Sequence, residues 1–71
     1  MKITDAKSFG KAIRERRKEL HYTQAYLSVC TGLSITFISD LERGKPGIWL
    51  EKSIQVVNIL GMDLFMEKRG E

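Results

Sequence analysis

Apolar side chains recur along this chain at helical spacing, punctuated by glycines and small polar residues. In the first segment Ala6, Phe9, Ile13 and Leu20 share one helical face. Asp5 precedes them, and its carboxylate can accept from the free N–H groups of a first turn. Arg17 sits on the same stripe, four residues after Ile13 and three before Leu20. A guanidinium directed inward needs a carboxylate. "HYT" at 21–23 interrupts the pattern, and Thr23 suits the N-cap of a short helix from Gln24 to about Thr31. Gly32 suits the left-handed position that ends it. Leu33 follows as a turn residue able to plug a core, and Ser34 caps a third helix, "ITFISDLER", stopped by Gly44.

Two short helices joined by about three residues including a glycine fit a helix-turn-helix. Ile38 and Leu41 mark the inner face of the third helix, and Glu42, four residues after Ile38, is directed inward with them. The spacing therefore predicts an Arg17–Glu42 salt bridge tying helix 1 to helix 3. "GKPGIW" at 44–49 reads as a loop. A fourth helix is expected from about Trp49 or Leu50 to Leu60, with Trp49, Leu50, Ile54, Val56, Val57, Ile59 and Leu60 as its apolar positions. That band is wider than a surface helix needs to cover its own core. A second subunit is the simplest use for the excess.

After Gly61, "MDLFMEK" at 62–68 alternates: Met62, Leu64 and Met66 on one side, Asp63, Phe65 and Glu67 on the other. Period two argues for a strand. A lone strand leaves backbone groups unpaired, so the same segment of a second copy is its expected neighbour, the alternative being a simple tail. The fold class expected is all-α, four to five helices, with a C-terminal β-strand that pairs across a homodimer.

Composition narrows the function. Seventy-one residues make one domain, and 42% apolar content argues against disorder. No apolar run approaches the ~20 residues of a membrane span. No secretion signal is visible at the N-terminus, so a cytoplasmic location is expected. With one cysteine, Cys30, and one histidine, His21, no disulfide or metal site is expected. There is no paired carboxylate motif and no Gly-rich phosphate loop, so catalysis is discounted and no cofactor is expected. The net charge of +3 is concentrated in "KAIRERRKE" at 11–19, whereas Leu20 to Leu41 holds no Lys or Arg. Such a cluster suits a polyanion or a solvated helix face. Tyr26, Val29 and Cys30 share an apolar face of helix 2, read either as a protein-partner site or as edge packing.

The stretch "RRKEL..TQ..LS...GLS..FISDLERGK", from Arg16 to Lys45, resembles the helix-turn-helix of the phage-repressor-like (XRE or Cro-like) family, which has the lambda-repressor fold. Thr23-Gln24, Leu27, Gly32, Ser34, Ile38-Ser39 and Leu41-Glu42-Arg43-Gly44 carry the resemblance. "LERGKPGIWLEKSIQVVNILGMDLFMEKR" resembles the HipB-like antitoxins within that family. The chain departs from the pattern at His21, where the family has glycine, and at Ile35 and Phe37, where many relatives carry polar residues.

The resemblance implies a DNA-binding domain over 1–61 and a dimerising strand and tail over 62–71. It implies a repressor that binds double-stranded DNA as a homodimer on a palindrome, autoregulates, and partners a HipA-like kinase toxin, with no membrane association. Ile35, Thr36, Ser39 and Asp40 match base-facing positions of helix 34–43 in the major groove. Thr23, Gln24, Ser34, Arg43 and Lys45 are candidates for the DNA backbone, with capping the competing use of Thr23 and Ser34. Phe37 is core or groove wall. Ile59, Met62, Leu64, Phe65 and Met66 are candidates for dimerisation. A free-standing phage-type repressor and a protein-interaction module with weak DNA binding are the alternatives.

Overall fold

The computed structural model describes residues 2–70; Met1 and Glu71, at the outer ends of the two expected segments, lie outside the described residues. Four helices follow in order: α1 (Ala6–Glu19), α2 (Gln24–Thr31), α3 (Ile35–Glu42) and α4 (Leu50–Ile59). Each of the first three starts at the expected cap. The Asp5 carboxylate accepts from the Ser8 N–H at 2.7 Å, and the Ser8 hydroxyl accepts in return from the Asp5 N–H. This is a capping box built with serine in place of the usual Glu or Gln. Thr23 and Ser34 accept from the N–H groups of Tyr26 and Phe37, both at 3.0 Å.

The helix ends follow one rule. After α1, α3 and α4 the chain turns through a left-handed residue: His21 (φ 60°), Gly44 (φ 77°) and Gly61 (φ 71°). At each, paired backbone bonds close the last turn, for example His21 N–H to Lys18 carbonyl and Tyr22 N–H to Arg17 carbonyl. His21 therefore does the work of a glycine at the cost of a side chain in the left-handed region.

Ile13, Leu27, Ile38, Leu41, Val56, Val57 and Leu60 form the buried core, each no more than 2% exposed. Fully burying such side chains is worth roughly 1.5–3 kcal/mol apiece. Phe9, Leu20, Tyr22, Leu33, Phe37, Ile48 and Met62 pack around it. Gly10 brings α1 against the end of α3: a Cβ there would lie 2.7 Å from the Glu42 carbonyl oxygen and closer still to that of Leu41. Arg16 links α1 to the end of α4 by donating from Nε to the Leu60 carbonyl at 3.0 Å.

One expectation changes. Residues 62–70 form neither helix nor strand, and no strand occurs among the described residues. A ladder needs a neighbouring segment, and this chain alone offers none. Met62, a candidate for dimerisation, is half-buried against its own core, and its N–H donates to the Val57 carbonyl. It anchors the start of the tail.

Candidate nucleic-acid interface

The motif α2–turn–α3 is held from behind by an ion pair. Arg17 donates to Glu42 twice, Nε to Oε2 at 2.7 Å and Nη2 to Oε1 at 2.9 Å. Its Nη1 donates to the Tyr22 carbonyl at 2.9 Å. The Glu42 side chain is 2% exposed. The two-point pairing with the carboxylate raises the Arg17 pKa above its usual value. Gln24 completes the network: its amide Nε2 donates to Glu42 Oε1 at 3.2 Å. No buried side-chain nitrogen or oxygen among the described residues lacks a partner.

With Ile38, Leu41 and Glu42 turned inward, α3 presents its opposite face. Ile35 is 49% exposed and Thr36 is exposed. Ser39 and Asp40, expected to be exposed beside them, are half-buried. For Asp40 the reason is visible: Arg43 donates to its Oδ1, and Lys45 Nζ donates to its Oδ2 at 3.4 Å. The Arg43 hydrogen bond, aided by Lys45, holds its carboxyl below the usual carboxylate range. Arg43 and Lys45 themselves remain exposed at the exit of α3.

The expected backbone-contacting residues divide. The hydroxyl oxygens of Thr23 and Ser34 accept the capping bonds, which leaves their O–H groups as donors, and the Gln24 amide gives one N–H to Glu42. Arg43 and Lys45 keep their cationic heads in water. Phe37 is half-buried against the core. One further cation carries no mark in the apolar helical pattern: Lys52 on α4 stands 4.1 Å from the centre of the Trp49 ring and 5.9 Å from that of Phe37. The spacing of Trp49 and Lys52, one turn apart at the start of α4, was its only sequence signal.

On α2, Val29 is 82% exposed, and Tyr26 and Cys30 are exposed beside it. Tyr26 also stacks at a tilt on Tyr22, ring centres 4.7 Å apart. At the opposite end of the chain, Ile59, Leu64, Phe65 and Met66 are all exposed, Met66 almost fully. A groove between the tail, α1 and α4 is lined by Ile3, Phe9, Leu50, Ile54, Leu64 and Phe65. No helix among the described residues is long and apolar enough to cross a membrane.

This geometry agrees with comparisons to known proteins. A family model described as helix-turn-helix matches residues 13–65, and the chain belongs to that family. An uncharacterised HTH-type transcriptional regulator of Sinorhizobium fredii is 34% identical over 70 residues, covering 99% of this chain and 92% of the relative. The ImmF control region 10 kDa protein of Bacillus phage phi105 is 30% identical over 69 residues, covering 97% of this chain and 77% of that protein. Among solved structures, a chain of a HipA-HipB-O2-O3 complex superposes with a TM-score of 0.89 at 18% identity, covering 99% of both chains. A chain of a HipB-O4 20mer complex does so with the same score, identity and coverage. At such identity these structures speak to fold: four helices of the HipB-like arrangement.

Proposed function

We propose that the chain is a sequence-specific DNA-binding repressor that binds a palindromic operator as a homodimer, with helix 34–43 in the major groove. One observation carries this reading. α3 is clamped on its inner side by Ile38, Leu41 and the Arg17–Glu42 pair, so its outer face, Ile35 and Thr36 foremost, is offered rigidly. A recognition helix needs that rigidity, because base contacts act only at fixed register. Arg43 and Lys45 at its exit supply charge for the phosphate backbone. The HTH-type regulator of Sinorhizobium fredii supports the regulatory role.

The homodimer rests on the exposed Leu64, Phe65 and Met66, which line the groove against α1 and α4, and on Ile59, exposed on α4. Exposed apolar side chains gathered along a groove in this way suit an association site. Pairing 62–68 with the same segment of a second copy would supply the missing ladder neighbour. The likeness to chains solved with HipA and with operator-sized duplexes supports an autoregulating antitoxin that partners a HipA-like kinase. In that role the exposed face of Tyr26, Val29 and Cys30 is available to a protein partner. The second reading, a free-standing phage-type repressor, is favoured by the similarity to the phage phi105 control-region protein.

Fluorescence anisotropy on the duplex just upstream of its own start codon, against a scrambled duplex at several salt concentrations, tests the proposal. A preference of ~10³ or more, with dimer-dependent binding, is the expected result. Equal, purely salt-driven binding to both duplexes would refute sequence-specific repression.

A further inference from the structure

The two cations at the exit of α3 close on one carboxylate. Arg43 Nη2 donates to Asp40 Oδ1, Lys45 Nζ donates to Oδ2 at 3.4 Å, and the Lys45 backbone N–H donates to the Asp40 carbonyl at 3.0 Å. The Asp40 side chain is 15% exposed, against 70% for Arg43 and 63% for Lys45. The acid is thus held in place while the cationic heads stay in water. Glu42 is fully engaged by Arg17 and Gln24, so Asp40 alone offsets the charge that α3 and its exit would turn toward a polyanion.

We infer that Asp40 is a positioning residue: it holds Arg43 and Lys45 and restrains their attraction to phosphate, so that duplexes in general are bound weakly and the base contacts of α3 decide where the protein stays. The inference rests on the DNA-binding reading above. Exposed ion pairs are weak, so a phosphate can compete for either cation. The carboxylate then remains at the interface and repels the same phosphate, whatever the base sequence. Its side chain is only 15% exposed and is turned to Arg43 and Lys45, so reaching the amino group of a cytosine would mean leaving both cations. Positioning, not base reading, is what the geometry equips Asp40 to do. Among the base-facing candidates this leaves Ile35, Thr36 and Ser39.

Asp40→Asn tests this, since it keeps the size and an acceptor oxygen and removes the charge. Anisotropy is measured for the wild type and the variant on the upstream duplex, its single-base variants and a scrambled duplex, across a salt series. The scrambled duplex should be bound roughly 5- to 10-fold more tightly by Asp40→Asn at about 0.1 M salt, with a log–log salt slope steeper by about one. The ranking of the single-base variants should not change. In an Arg43→Ala, Lys45→Ala background the same substitution should tighten binding by a smaller factor, because only the direct repulsion of phosphate by the carboxylate is then removed. A change confined to one base pair would make Asp40 a reader and overturn the inference. So would an unchanged slope and affinity, and in both cases wild-type binding leaves the DNA-binding reading intact. If neither protein binds any duplex at low salt, both readings fall together.

Discussion

Arg17 on α1 and Glu42 on α3 meet in a buried two-point ion pair, 25 residues apart in sequence, with Gln24 of α2 donating to the same carboxylate. Three helices are thereby tied at one point behind the outer face of α3. Removing one partner leaves the other charge buried and uncompensated. Glu42→Ala should therefore cost about 3–5 kcal/mol, whereas Arg17→Met with Glu42→Leu should recover most of the loss. Urea denaturation of the two variants checks this. A cost below ~1 kcal/mol for Glu42→Ala would show that the pair is dispensable.

Backbone geometry makes opposite predictions at two positions. Gly10→Ala would drive a methyl group into the carbonyls of Leu41 and Glu42, and should cost roughly 1–3 kcal/mol or more. His21 already occupies a left-handed conformation that favours glycine. His21→Gly should raise stability by about 0.5–1 kcal/mol, the relief of strain being partly offset by the greater freedom of glycine when unfolded. Thermal denaturation of both variants reads the two signs.

Acid titration should expose the α1 cap. Bonds from the Ser8 backbone N–H and side chain hold the Asp5 carboxyl below its ordinary pKa. The folded pKa is depressed, so the stabilisation is fully present above the unfolded value of about 3.9 and is lost as pH falls through the folded value. Asp5→Asn retains a capping acceptor but does not titrate. The stability difference between wild type and Asp5→Asn should hold steady at neutral pH and drift only below about pH 4. A difference that changes instead between pH 5 and 8 would point to another group.

Positioning and reading should separate at α3. Arg43→Ala is expected to weaken binding to all duplexes by similar factors and to lower the salt slope by about one. Thr36→Ala is expected to relax preference at one base pair and leave the slope unchanged. The readout is the affinity for a panel of single-base operator variants. Unchanged preference across the whole panel would remove Thr36 from the reading set.

The apolar tail predicts association. Leu64 and Phe65 are exposed and line the groove beside α1 and α4. Leu64→Lys with Phe65→Lys should shift the protein toward monomer in sedimentation experiments while leaving the helical circular dichroism intact. A monomeric wild type at all concentrations would contradict the dimer.

The caps, the left-handed turns and the inward pair were legible because each depends on local chemistry or helical period. Asp5, Thr23 and Ser34 accept from a backbone three residues on, and Arg17 and Glu42 fall on apolar stripes, so spacing alone gave their direction. What escaped depends on how surfaces meet. Gly10 sits in a helix with no pattern to mark it, and its role appears only where α3 crosses. Asp40 looked exposed by period, but a carboxylate between two cations collects them, and no stripe announces that. Met62 alternated with the tail yet folded back on the core. The Lys52–Trp49 stack likewise needed the loop before α4 to be in place.

If a dimer of this chain reads DNA with α3, the site it binds must carry two-fold symmetry. Selection of bound duplexes from a random-sequence pool tests it most directly. Enrichment of one palindrome whose half-sites lie one helical turn (~10 bp) or a multiple of it apart is the expected result. Recovery of unenriched DNA, or of a single site without symmetry, would contradict it.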